Sequence, residues 1–87
     1  MIIDFHTHIF PARVIENRES YFSKEPAFKI LYDSPKSRLV DAETLIEVMD
    51  ESRVDKSVVF GFPWENDEFF RMHNDYIIES VLKYPDR

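Results

Sequence analysis

Met1-Ile2-Ile3-Asp4-Phe5-His6-Thr7-His8 is the stretch on which the reading of this chain turns. An apolar start runs straight into two histidines separated by one residue. Extended backbone alternates its side chains, so Asp4, His6 and His8 are expected on one face and Phe5 and Thr7 on the other. Two imidazoles so spaced at a strand's end can grip one ion from the same side. Imidazole suits zinc, iron, nickel and copper, and divalent zinc activates water. His6 and His8 are therefore candidate metal ligands, and they make up half of a site.

Outward from there, residues 2–5 read as a buried strand. Pro11 opens an irregular region reaching to about residue 40. Within it, Pro11 and Pro26 can each start a short helix, over Ala12 to Arg18 and Ala27 to Tyr32. Ser34-Pro35-Lys36-Ser37 reads as a turn. A loop-rich stretch of this length is often a lid or a binding loop. Asp41 is a good N-cap, and Glu43 adds negative charge in the first turn. Leu45, Val48 and Met49 follow at helical spacing, which predicts a helix over 42–52. Val58-Val59-Phe60 has no alternation and is β-branched or aromatic, as in a parallel strand covered on both faces. Gly61, the only glycine, falls at that strand's end, where backbone approaches something closely. Asn66 or Asp67 caps a last helix running to about Lys83, with Phe69, Phe70, His73, Tyr76, Ile77 and Val81 as its apolar-leaning stripe. Pro85 ends it.

Composition narrows the function classes. The chain has 87 residues, one domain or a piece of one, and its 15% aromatic content argues against disorder. The net charge of −6, with basic residues scattered, disfavours nucleic-acid binding. No apolar run approaches the roughly 20 residues of a membrane span. The N-terminus lacks the pattern of a signal peptide. The absence of cysteine fits a reducing compartment and excludes thiolate metal sites. The expectation is a soluble, cytoplasmic chain.

Strand, long loop, helix, strand, helix implies βαβ units and a parallel sheet with a right-handed crossover. Two parallel strands leave at least one edge open. Tyr84-Pro85-Asp86-Arg87 falls where a third strand would begin. Residues 1–87 are thus expected to be a single partial domain, the opening portion of a larger α/β barrel. The open edge implies a homo-oligomer or association with a complementary chain.

The run Ile2 to Pro11 resembles the first strand of the amidohydrolase superfamily, in its amidohydrolase-related branch of metal-dependent hydrolases and non-oxidative decarboxylases. Val54-Asp55-Lys56-Ser57-Val58-Val59-Phe60, Asn74-Asp75-Tyr76-Ile77 and the ending Tyr84-Pro85-Asp86-Arg87 support the likeness. It implies an α/β fold, the N-terminal β-loop-α-β-α portion of a (β/α)8 TIM-type barrel, with the first two βα units and a long loop at about 9–40. It implies that His6 and His8 bind a divalent metal ion, zinc above all, and that Asp4 orients an imidazole from behind; a structural hydrogen bond is the equal alternative for Asp4. Small-molecule substrates are those of full-length relatives. The later ligands and the acid–base aspartate of such relatives have no positions here. Asp33, Asp41, Asp50 and Asp67 do not replace that aspartate, because none ends an expected strand. The chain is therefore expected to be catalytically incompetent alone.

Other side chains are read more plainly. His73 is expected as a half-buried helix histidine rather than a third ligand. Phe62, Pro63 and Trp64 can line a pocket or cover a core edge. Arg13 and Arg18 are expected in solvent rather than against an acidic substrate. A phosphoesterase of the polymerase and histidinol phosphatase type also starts with Asp-x-His-x-His, but it carries further histidines soon after, which this chain lacks. A non-catalytic oligomerising or partner-binding fragment is the third reading.

Overall fold

The computed structural model describes residues 1–34 and 37–87. In chain order the elements are β1 (Ile3–His8), α1 (Ala12–Glu16), a 3-10 turn (Arg18–Tyr21), α2 (Pro26–Tyr32), α3 (Ala42–Ser52), β2 (Lys56–Phe60) and α4 (Asp67–Lys83). The helix starts follow local chemistry. Asp41 accepts the Thr44 N–H at 2.8 Å and Asn66 accepts the Phe69 N–H at 3.1 Å, each satisfying one of the free donors of a first turn. The Tyr76 hydroxyl accepts the Ala42 N–H at 2.7 Å, so α4 satisfies a second donor at the start of α3. Pro26 occupies the first turn of α2. Helix α3 ends on Arg53, held left-handed at φ 59° with no glycine there to relieve it. The expected turn over 34–37 falls on Pro35 and Lys36, outside the described residues.

β1 and β2 pair in parallel, with Ile3 opposite Lys56, Asp4 opposite Ser57, Thr7 opposite Val59 and His8 opposite Phe60. Three residues of β1 thus span two of β2 between Asp4 and Thr7, the mark of a bulge. Ser57 and Val59 face α3 and α4, where they line an apolar gap with Leu45, Met49 and Val81. Lys56, Val58 and Phe60 point the other way and are exposed. The sheet is covered on one face only. This corrects the expectation that β2 is sheathed on both sides, and that β1 is buried: its first four residues are exposed.

The barrel expectation is also corrected. The described residues form a small α/β unit with a two-stranded parallel sheet and four α-helices, and no barrel wall appears among them. Two strands cannot close on themselves, and the main core cluster lies away from the sheet. It gathers beyond the C-terminal ends of the strands, where Phe10, Val14, Tyr21, Phe28, Leu39, Phe62 and Trp64 pack together. Residues 9–40 supply most of it. The described residues of that stretch, 9–34 and 37–40, hold the expected short helices and form a cap over the strand ends. Its two short helices sit near the expected places, and the 3-10 turn between them carried no periodic signal because four residues are little more than one turn.

The cap is tied down by polar groups that sequence reading missed. Glu25 is 2% exposed, and its carboxylate accepts the N–H groups of Glu65 (2.7 Å) and Asn66 (3.1 Å), joining the start of α2 to the start of α4. Arg18 donates through Nη1 to the carbonyls of Tyr32, Ser34 and Ser37 at 2.7–3.3 Å. It is a clamp on the cap, not a solvated side chain.

Candidate metal centre

β1 delivers His6 and His8 to the uncovered face of the sheet, and their Nε2 atoms lie 3.1 Å apart. The strand's period explains the shared side: two residues bring the backbone back to the same orientation. The rings meet edge to face, with centroids 5.0 Å apart. Phe60, opposite His8 in register, stacks against both, 5.0 Å from the His6 ring and 6.1 Å from that of His8.

The separation fits two fillings. Without an ion, one ring donates from Nε2 and the other accepts, sharing a single proton. With an ion about 2.0–2.1 Å from each nitrogen, as zinc–imidazole bonds require, the 3.1 Å spacing sets an N–metal–N angle of about 100°. That lies between the right angle of an octahedral site and the wider angle of a tetrahedral one. The pair thus fits a divalent ion as a two-point clamp. Among the described residues no group of three or more His, Asp or Glu comes together to hold a metal.

Asp4 does not stand behind the histidines. The bulge between Asp4 and Thr7 breaks the period, so Asp4 pairs with Ser57 of the covered face while His8 pairs with Phe60 of the open one. Its Oδ1 accepts the backbone N–H of His6 at 3.1 Å. It therefore shapes the bulge that presents His6, and it orients no imidazole. The inner nitrogen of His8, Nδ1, is buried with no hydrogen-bond partner. A ligating imidazole ordinarily donates from its other nitrogen to an acceptor, and the clamp is incomplete on that side as well.

His73 is not a third ligand, and it is more than a half-buried helix residue. It is 1% exposed, with Nδ1 accepting from the Trp64 indole N–H at 2.9 Å and the Phe62 N–H at 3.2 Å. Two donors on Nδ1 leave the proton on Nε2, which donates to the Ile9 carbonyl. Burial, and secondarily the nearby His8, push its pKa below the usual 6.5, against the opposing pull of the Ile9 carbonyl. His73 thus pins the residue that follows the His6/His8 strand to α4. Its ring also explains Gly61: a Cβ there would stand 3.2 Å from the ring's Cγ. Close approach, rather than an unusual backbone angle, requires the glycine.

Phe62 and Trp64 lie in the core, so the core-edge reading of these aromatics holds over the pocket reading. Arg13 is exposed on α1. No helix among the described residues is long and apolar enough to cross a membrane. No protein-family model, no curated protein and no solved structure matches this chain.

Proposed function

We propose that the chain is a metal-binding unit of a metal-dependent, amidohydrolase-like hydrolase, and that it lacks catalytic competence by itself. One observation carries the reading: the two Nε2 atoms of His6 and His8 face one point in space, 3.1 Å apart, at the C-terminal end of a parallel strand. When bound, a divalent ion of the zinc type supplies acidity to a coordinated water and polarises a substrate carbonyl. The chain's own residues do the holding. His6 and His8 clamp, the Asp4 bulge presents His6, and the bond from His73 to Ile9 fixes where the strand ends. A non-oxidative decarboxylase of the same superfamily would use the same clamp to orient a carboxylated substrate. On this reading the setting is cytoplasmic, which a cysteine-free chain fits.

Calorimetric titration with zinc is the test. Binding that is lost in both His6→Ala and His8→Ala supports the clamp, and wild-type chain that takes up no zinc ends the reading. Zinc-loaded chain is expected to leave an activated ester such as p-nitrophenyl acetate at its background rate. Turnover abolished by His6→Ala would show instead that the unit is competent alone. A partner-binding role is the second reading, favoured by Val58 and Phe60, which are 41% and 40% exposed on the open sheet face.

A further inference from the structure

We propose that two copies of this chain share one zinc ion, each giving Nε2 of His6 and Nε2 of His8, with their open sheet faces mated around it. The proposal rests on the clamp reading above and names the partner that completes it; an ion closed by four imidazoles has no open position for water, which accords with a unit that is not catalytic by itself. Zinc held wholly by protein takes four ligands in a tetrahedron. Each chain offers two, and no third His, Asp or Glu joins them among the described residues. A two-fold axis through the ion doubles the pair to four, and in such an interface each residue meets the same patch of the partner.

The surface around the clamp suits that arrangement. His8 pairs in register with Phe60, so Val58 and Phe60 border the imidazoles on the uncovered face, and Ile3 lies further off at its other end. All three are more than a third exposed. Mating the faces removes this apolar surface from water and encloses the ion behind two Phe60 rings. Charge does not oppose close contact at the face itself. The only carboxylate in the two strands is Asp4, which lies in register with the covered face and is bonded to the His6 N–H. Lys56 is at the other end of β2 from Phe60. The net charge of −6 on each chain repels at long range; salt screens that repulsion and the ion's two positive charges offset part of it.

The experiment is sedimentation equilibrium and native mass spectrometry of the whole chain, titrated with zinc chloride and then with EDTA. The expected result is a doubling of mass that saturates at one zinc per two chains and reverses with EDTA. Cobalt in place of zinc is expected to give the intense visible absorption of a tetrahedral site. His6→Ala and His8→Ala, checked for folding by circular dichroism, are expected to stay monomeric. Their zinc-dependent association should weaken by more than the roughly 10–100-fold that loss of an outer-shell partner causes. Should either variant fail to fold, the EDTA reversal and the zinc stoichiometry of the wild-type chain decide the matter. One zinc per chain without doubling would overturn the shared ion and leave the clamp standing. A dimer that forms equally well in EDTA would also overturn it. No zinc uptake at all would end both this proposal and the clamp reading.

Discussion

Replacing His73 with Phe keeps a ring of similar size on α4 and removes three hydrogen bonds at once. The Phe62 N–H and the Trp64 indole N–H lose their acceptor, and the Ile9 carbonyl loses its donor. The site is sealed, with His73 at 1% exposure, so water cannot readily replace the lost partners. An orphaned buried polar group costs about 1–3 kcal/mol. Three in one network are not additive, and a destabilisation of about 3–5 kcal/mol is expected. Phe also presses on Gly61, where the His73 ring already leaves only 3.2 Å for a Cβ. A chain of 87 residues has a total stability of roughly 4–13 kcal/mol, so the variant should unfold far earlier than wild type. Urea titration followed by far-UV circular dichroism, with Trp64 fluorescence as a local probe, measures the loss. A variant within about 0.5 kcal/mol of wild type, inside the range of ordinary surface substitutions, would refute the view that His73 is the polar hub of the core.

The same histidine predicts a pH dependence. Its pKa in the folded chain is lowered below the unfolded value of 6.5, so in the window beneath 6.5 the unfolded chain binds a proton that the folded chain refuses. Its contribution is full above that window and is lost as pH falls through it; urea midpoints at about pH 5 and about pH 7.5 should differ less in His73→Phe than in wild type. Glu25→Gln keeps one carbonyl acceptor but turns an amide N–H₂ toward a backbone donor of Glu65 or Asn66. A loss of about 1–3 kcal/mol is expected, read as a lower urea midpoint, and an unchanged midpoint would remove Glu25 from the cap's anchors. Arg53→Gly relieves a left-handed residue at φ 59° at the end of α3. It should stabilise by about 0.5–1 kcal/mol, a Tm rise of roughly 2–8 °C for a chain of this size, and a fall in Tm would contradict the strain.

Local chemistry was legible wherever neighbours in sequence decide the outcome. Asp41 and Asn66 cap their helices from within the same turn, and α3 and α4 run over the residues their spacing predicts. The His-x-His pair likewise needs only the strand's period. Faces were less legible. Phe70 and Val81 belong to the expected stripe of α4 but are about half exposed, and Val48 on α3 is as well. Periodicity shows that a helix has a face, but it does not show how far the neighbouring layer extends over it. The barrel expectation failed for the same reason, since pairing of further strands is a long-range property that two βα segments do not encode.

By sequence alone, then, the chain specified its helix starts, its parallel βαβ order and the side that His6 and His8 share, all set by contacts a few residues apart. The fold decided the rest. A bulge set by pairing with β2 moved Asp4 off the imidazoles' face. His73 became a buried bridge to Ile9, 64 residues away. Glu25 became the anchor of a loop 40 residues further on. These roles arise because a buried polar group must find a partner wherever the packed chain offers one, and no local pattern announces which distant residue that will be.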